Sequence, residues 1–230
     1  MVQSVEHTRS RARRWYSAPT ITNARRRLSS PLVLPAPLWS RVAASAFIVV
    51  LVPYYWMHEG WRNFLWLSDI SLFATGIALW VESPLLNSMM CIGVLPFELY
   101  WNATFFTRLL TGIEIGEIPD YMFDGSLPLP LRLISLFHVV LPVIWILLLR
   151  RWGYDRRAIK LQTVALSVIL LLTYGLTGPE LNINWVYLPY KLHLAWLPQH
   201  AWLLAYMVIV PALVYWPTHV FYSRCAPRAR

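Results

Sequence analysis

Apolar residues dominate six long stretches of the chain, and short polar segments separate these stretches. The stretches cover residues 40–57, 63–82, 87–107, 131–150, 160–177 and 195–222. At a rise of about 1.5 Å per residue, each is long enough to cross a hydrocarbon core of about 30 Å as a helix. The pattern therefore predicts an all-α integral membrane bundle of six transmembrane helices over residues 39–223. A basic, unstructured tail is expected over residues 1–38, and a short basic tail over residues 224–230.

The composition favours a membrane protein over a large soluble domain. Hydrophobic residues make up 57% of the chain and charged residues only 13%, whereas soluble domains are about one-quarter charged. The net charge of +9 does not indicate nucleic-acid binding, because the basic residues flank the apolar stretches, where they meet anionic lipid headgroups. Membrane lipids are the expected partners. The two cysteines, Cys91 and Cys225, form no disulfide framework or metal motif, and the sequence predicts no cofactor.

The distribution of Lys and Arg predicts the orientation of the bundle. With six crossings, the two tails and the turns near 82–87 and 150–160 lie on one side, which carries 16 of the 20 basic residues. Because basic residues are retained on the cytoplasmic side, both termini are predicted to be cytoplasmic. The expected location is the cell membrane, specifically the inner membrane of a bacterium. The arginine-rich N-terminal tail also fits an organellar transit peptide, so that alternative stays open.

Four polar side chains within the apolar stretches form a candidate site: Asp69, Glu98, Asn102 and His138. Counted from the outer ends of the predicted helices, Glu98 lies about 15 Å deep and the other three lie about 9–11 Å deep. Polar groups in a bilayer usually face the interior of the bundle. The sequence therefore predicts a polar pocket in the outer half of the membrane, roofed by the loops 111–132 and 177–191.

The residue types in this layer suit acyl-transfer chemistry. A neutral imidazole accepts a proton from a hydroxyl nucleophile, and a carboxylate orients the imidazole ring. The predicted catalytic residues are the base His138, an orienting carboxylate from Asp69 or Glu98, and the nucleophile Ser68. The predicted substrate contacts are Asn102, Ser135, Asn184 and Trp185, with Asn102 donating to the substrate or to the oxyanion. The expected activity is hydrolysis or transfer of a fatty acyl ester that enters from the leaflet.

Other interpretations of the same residues stay open. In one alternative, Asp69 serves structure alone, through a hydrogen bond to His138 or Asn102 that fixes the register of the helices. Asp69, Glu98 and His138 also fit a metal site, with His193 or His200 as a further ligand, although no metal-binding spacing supports it. A proton relay or transport role, and a scaffold or accessory subunit with an unknown protein partner, complete the alternatives. Gln162 is predicted to lie at the membrane interface.

Two resemblances add expectations of their own. The segments LISLFHVVLP (133–142), GYDRRAIKLQT (153–163) and LTGPELNINWVY (176–187) resemble a family of uncharacterised multi-pass membrane proteins from bacteria. WRNFLWLSD (61–69), NINWVYLP (182–189) and the His-x-x-Leu-Pro context of His138 are similar to the androgen-induced gene family, six-span hydrolases of fatty acid esters of hydroxy fatty acids. That resemblance implies catalysis by His138 together with a threonine. Trp66 stands at the position of the threonine and cannot be a nucleophile, so the resemblance leaves the nucleophile unassigned.

Overall fold

A computed structural model describes residues 35–188 and 196–229, and this part of the chain consists of α-helices with short 3-10 and π-helical segments, turns and loops, and contains no strand. The predicted all-α class is therefore confirmed for these residues. The predicted N-terminal tail lies outside the described residues up to residue 34. The helices are α1 (Leu38–His58), α2 (Leu67–Val81), α3 (Pro84–Gly93), α4 (Leu95–Thr111), α5 (Leu129–Ile134), α6 (Phe137–Trp152), α7 (Ala158–Leu176), α8 (Gln199–Val210) and α9 (Trp216–Cys225).

Four helical segments are long and apolar enough to cross a membrane. They are α1, α5 with α6 (Leu129–Trp152), α7, and α8 with α9, which a π-helical segment at Pro211–Tyr215 joins (Gln199–Cys225). Large apolar side chains on these segments face outward, among them Val49, Val143, Leu171 and Val208. Lipid covers such surfaces at no cost, whereas contiguous apolar surface exposed to water promotes association. These are the features of a membrane protein.

The second and third predicted crossings are shorter or interrupted. Helix α2 has 15 residues and α3 has only 10. Helix α3 leads directly into α4 through a single break at Val94, so that residues 84–111 form one bent segment rather than one straight helix. Pro96 lies in the first turn of α4, where its missing N–H leaves no hydrogen bond unmade. The number of six crossings stays a prediction.

The turns on one end of the bundle are held together by polar contacts. Arg41 near the start of α1 forms an ion pair with Glu82, which follows α2. The backbone N–H of Asp155, between α6 and α7, donates to Ser88 Oγ of α3 at 2.9 Å. The segment after α9 bonds to the backbone of Tyr154. The start of α1, the α2–α3 turn, the α6–α7 turn and the C-terminal segment therefore lie at the same end, which we call the basic end.

Gln162 lies near the start of α7 and is 2% exposed, so its amide is buried between helices. Its position at the membrane interface stays a prediction. The Gln162 side chain fits between the helices because α3 presents Gly93 at the point of closest approach: a Cβ atom at Gly93 would lie 2.2 Å from Gln162 Nε2. The absence of a side chain at Gly93 therefore leaves room for the buried amide of Gln162. The sequence around Gln162 does not reveal this contact.

Substitution of Gly93 by alanine is expected to destabilise the bundle by about 1–3 kcal/mol, because the new methyl group overlaps the Gln162 side chain. Gly175 of α7 provides a matched control, since nothing lies within 4 Å of a Cβ added there. Gly175→Ala is expected to leave stability unchanged or to raise it by about 0.5–1 kcal/mol, as alanine favours helix. Denaturation of the purified variants in mixed maltoside and dodecyl sulfate micelles measures both. Equal effects of the two substitutions would contradict the close packing of α3 and α7.

Candidate functional site

A single large cavity brings most of the predicted site residues together. Its volume is about 920 Å³. Seven of the eight predicted residues line it: Ser68, Asp69, Glu98, Ser135, His138, Asn184 and Trp185. The cavity wall comes from α1, α2, α4, α5, α6 and α8, from the segment 59–66 between α1 and α2, and from the two loops 112–128 and 177–188. Most of the residues that the sequence analysis assigned to the site therefore line one cavity.

Glu98 and His138 form a carboxylate–imidazole pair at the wall of the cavity. Glu98 Oε2 and His138 Nδ1 lie 2.8 Å apart, with side chains only 4% and 13% exposed. The imidazole ring lies against Trp101, at a centroid distance of 4.7 Å, and against Phe137, at 4.2 Å, with both rings nearly parallel to it. These contacts fix the ring plane. Nδ1 bonds to the carboxylate, and Nε2 makes no hydrogen bond within the described chain, so it is the nitrogen available to a ligand.

Helix starts explain why the ionisable side chains converge. Asp69, Glu98 and His138 each lie in the first turn of a helix: α2 begins at Leu67, α4 at Leu95 and α6 at Phe137. The first turn of a helix leaves backbone N–H groups unpaired and carries positive partial charge, which stabilises a nearby carboxylate. Helices α4 and α6 begin where a longer helical segment is interrupted, at Val94 and at Ser135–Leu136. These interruptions place helix N-termini in the interior of the bundle.

Asn102 connects the backbone of Glu98 with that of His138. Its Nδ2 group donates to the backbone carbonyl of His138 at 2.7 Å and to that of Glu98 at 2.7 Å. A primary amide has two N–H donors, so both are in use. Asn102 does not line the cavity. Its observed role is to connect α4 with α6, and its predicted contact with substrate or oxyanion stays a prediction.

Asp69 differs sharply from Glu98. It is 3% exposed, and its Oδ1 atom has no hydrogen-bond partner. The purely structural alternative, a hydrogen bond from Asp69 to His138 or Asn102, is therefore wrong. His138 bonds to Glu98 instead, because the start of α4 brings that carboxylate to the ring. Asp69 lines the cavity, but its unpartnered Oδ1 atom is enclosed by protein.

The sequence analysis missed two residues of the site, Tyr55 and Trp101. Tyr55 of α1 lies in an apolar stretch, yet its hydroxyl donates to Ser135 Oγ at 2.7 Å, and Ser135 Oγ donates in turn to the carbonyl of Leu131 at 3.1 Å. Trp101 stacks on His138. Its position three residues after Glu98 is a spacing that places both on one helix face. Tyr55 has no comparable signal, because its partner lies 80 residues away.

The two loops form part of the cavity wall, as predicted. The loop before α5 contributes Glu117, Ile118 and Tyr121. Loss of contact with bulk water raises the pKa of Tyr121 well above its usual value, so this phenol stays neutral at physiological pH. The loop after α7 contributes Asn184 and Trp185. The cavity is therefore closed on this side by residues of the loops and not by the helices alone.

Asn184 ties the second loop to the start of α2. Its Oδ1 accepts from the N–H of Leu67 at 2.9 Å, and its Nδ2 donates to the carbonyl of Leu65 at 2.8 Å and to Thr173 Oγ1 at 3.3 Å. It adopts a left-handed backbone conformation, with φ of 54°. Asn184 thus satisfies backbone groups at the break before α2, and its predicted contact with substrate stays a prediction, as does that of Trp185.

The nucleophile and the metal alternative are less defined. Ser68 is half-buried and lines the cavity, but its hydroxyl makes no hydrogen bond to His138. Its role as nucleophile stays a prediction. Within residues 35–188 and 196–229, no group of three or more His, Cys, Asp or Glu side chains is placed to hold a metal ion. His193 lies outside these residues, and His200 is exposed at the start of α8.

Comparisons of the chain with family models, with curated proteins and with solved structures find no match. Both family resemblances in the sequence therefore stay predictions, and the functional assignment depends on the site itself.

Replacement of Asn184 by alanine is expected to destabilise the protein by about 2–4 kcal/mol, because it leaves the N–H of Leu67 and the carbonyl of Leu65 without partners. Asn63 is a matched control in the same region, since it lines the cavity but its side chain makes no hydrogen bond. Asn63→Ala is expected to change stability by less than about 0.5 kcal/mol. Denaturation in mixed micelles compares the two, and a small effect of Asn184→Ala would show that the loop is held by other contacts.

Proposed function

We propose that the chain is a membrane-embedded enzyme that hydrolyses or transfers a fatty acyl ester in this cavity, with His138 as base and Glu98 as the carboxylate that orients it. The observation that carries the proposal is the 2.8 Å contact between Glu98 Oε2 and His138 Nδ1 at the wall of a 920 Å³ cavity. A carboxylate on one ring nitrogen fixes the tautomer and directs the other nitrogen to act as base. The sequence alone left Asp69 and Glu98 as equal candidates for this role.

The proposed reaction follows the usual order of acyl transfer. His138 Nε2 takes the proton of the Ser68 hydroxyl while Ser68 Oγ bonds to the ester carbonyl carbon. The carbonyl oxygen becomes an oxyanion, the bond to the leaving alcohol breaks, and His138 returns the proton to that alcohol. A water molecule or a second lipid alcohol then takes the acyl group from Ser68 by the same steps. Without a nucleophilic serine, the same base would activate water directly.

The cavity lining supports a lipid substrate. Most of its wall is apolar or aromatic, including Leu67, Phe97, Leu127 and Leu131. Apolar walls bind an acyl chain, while a few polar groups fix the reacting end. A cavity that combines such walls with a single imidazole–carboxylate pair suits an amphiphile better than a water-soluble ester.

We further place the protein in the cell membrane of a bacterium with six crossings and both termini in the cytoplasm. The contacts of the basic end support this orientation: the start of α1, the α2–α3 turn, the α6–α7 turn and the C-terminal segment lie together there. Most of the Lys and Arg residues of the described chain lie in or next to these segments. Helix α2 and the bent α3–α4 segment would provide the remaining two crossings.

The resemblance to the androgen-induced gene family agrees with this proposal in one respect and departs from it in another. It assigns catalysis to His138, which is also the base proposed from the contact with Glu98. Trp66, at the position of the family's threonine, lines the cavity but offers no hydroxyl. Ser68, two residues further on, supplies the hydroxyl in the present proposal.

Purified protein in maltoside micelles is expected to hydrolyse p-nitrophenyl octanoate and to react with a fluorophosphonate probe. His138→Ala should lower kcat by about 10²–10⁴-fold, because it removes the base. Glu98→Gln should lower kcat less, since the ring keeps a neutral partner at Oε1 or Nε2 of the new side chain. Ser68→Ala should abolish labelling by the probe. Ser126→Ala, in the exposed part of the loop, is the control and should change neither readout.

The possible outcomes separate the alternatives. Labelling that persists in Ser68→Ala but is lost in His138→Ala would assign another hydroxyl as nucleophile. Hydrolysis without any labelling would indicate direct activation of water. Absence of both activities in the unaltered, folded protein would overturn the enzymatic proposal, and co-purification with a fixed protein partner would then support a scaffold.

The orientation can be tested with the native cysteines. Cys225 is exposed at the end of α9 and Cys91 is buried, so a membrane-impermeant maleimide should label only Cys225. Labelling is expected in inverted membrane vesicles and not in intact spheroplasts. A Ser126→Cys substitution in a Cys225→Ser background reports the opposite side and should show the reverse pattern. Labelling of both positions from the same side would refute the proposed six crossings.

A further inference from the structure

We propose that the cavity selects a lipid that carries a protonated amine, and that Asp69 binds the amine while Glu98 and His138 act on the acyl group. This inference deepens the proposed function and rests on it for the reaction. The binding preference itself rests only on the cavity. Three observations carry it: an unsatisfied carboxylate, the balance of charge around the cavity, and the aromatic composition of the wall.

The unsatisfied carboxylate is Asp69. It is 3% exposed, lines the cavity, and its Oδ1 has no partner. Burial of a carboxylate without a partner costs several kcal/mol. The start of α2 offsets part of this cost, because Asp69 lies in the first turn of the helix. Because Oδ1 is enclosed by protein, a donor on a ligand, and an ammonium group above all, would bond to the other oxygen of this carboxylate, Oδ2.

The charge around the cavity favours a cation. Leaving aside Glu117, which interacts elsewhere, three of the described lining residues carry carboxyl groups, Glu59, Asp69 and Glu98, and none is Lys or Arg. Within the same set, His138 is the single basic side chain, and it already bonds to Glu98. A negative cavity attracts a cationic headgroup and repels a fatty acid or a phosphate. Substrates with an anionic head are therefore disfavoured.

Aromatic rings make up much of the wall and suit the same ligand. They are Tyr55, Trp66, Phe97, Tyr100, Trp101, Tyr121, Phe137, Trp185 and Tyr206. The face of an aromatic ring attracts an ammonium group, and Trp does so best. The same rings provide apolar contact for the acyl chain. Asp69 lies on α2, whereas Glu98 lies on α4 and His138 on α6. Different helices would therefore hold the amine and the acyl group.

The test compares three ligands with the same chain length: dodecylamine, dodecanol and dodecanoate. Calorimetric titration of purified protein in maltoside micelles at pH 7 is expected to show tighter binding of dodecylamine than of dodecanol by about tenfold or more, since hydrogen bonds between charged groups are stronger than neutral ones. Dodecanoate should bind most weakly. Asp69→Asn should remove most of the preference for the amine and leave dodecanol binding within about twofold.

Two control variants make the result specific. Asp124→Asn removes a carboxylate from the exposed loop near the cavity without touching its wall, and it should keep the full preference for the amine. His138→Ala should lose hydrolysis but also keep that preference, so failure of the catalytic proposal is distinguishable from failure of this one.

Equal affinities for dodecylamine and dodecanol in the unaltered protein would overturn the inference, even if Asp69→Asn fails to fold. Equal weakening of both ligands by Asp69→Asn would also overturn it, because Asp69 would then shape the cavity without recognising charge. Preference for the amine in a protein without any esterase activity would support the binding site and refute the proposed reaction.

Discussion

The contact between Glu98 and His138 depends on interruptions of the helical backbone. Helix α4 begins at Leu95 because the chain breaks at Val94, and α6 begins at Phe137 after a break at Ser135 and Leu136. Uninterrupted helices would have placed both side chains in the middle of a regular turn, away from any helix terminus. Breaks within apolar segments occur where the surrounding protein satisfies the freed backbone groups. A proline inside a helix frees a carbonyl in the same way: Pro142, four residues after His138, has no N–H, and Asn102 Nδ2 donates to the His138 carbonyl instead.

The low polarity of the surroundings requires that buried polar groups find partners inside the protein. Most of them do: Tyr55 bonds to Ser135, and Asn184 bonds to backbone groups of the segment before α2. These contacts connect α1 to α5 and the second loop to α2, so they also fix the wall of the cavity. Asp69 is the exception at this site. The polar network therefore leaves the carboxyl group of Asp69 without a partner in the described chain.

The sequence predicted the class of protein and the place of the site better than the contacts within it. Helical periodicity and depth from the membrane surface do not depend on details of packing, and they brought Asp69, Glu98 and His138 to one layer. Which carboxylate bonds to His138 depends on the break at Val94, which shifts the register of α4 and has no signal beyond Pro96. The burial of Gln162 depends on Gly93 of another helix, so no local pattern could have predicted it.

Asp69 and Glu98 show how two carboxylates in similar positions acquire different roles. Both lie in the first turn of a helix and both line the cavity. Glu98 has the longer side chain and reaches the imidazole, whereas Asp69 reaches no donor. A leucine at position 69 would avoid the cost of an unpaired buried carboxylate, since apolar replacements of buried charges are often neutral or stabilising. A buried carboxyl group without a partner in the described chain is the reason why the proposal gives recognition of a cation to Asp69 and the chemistry to Glu98 with His138.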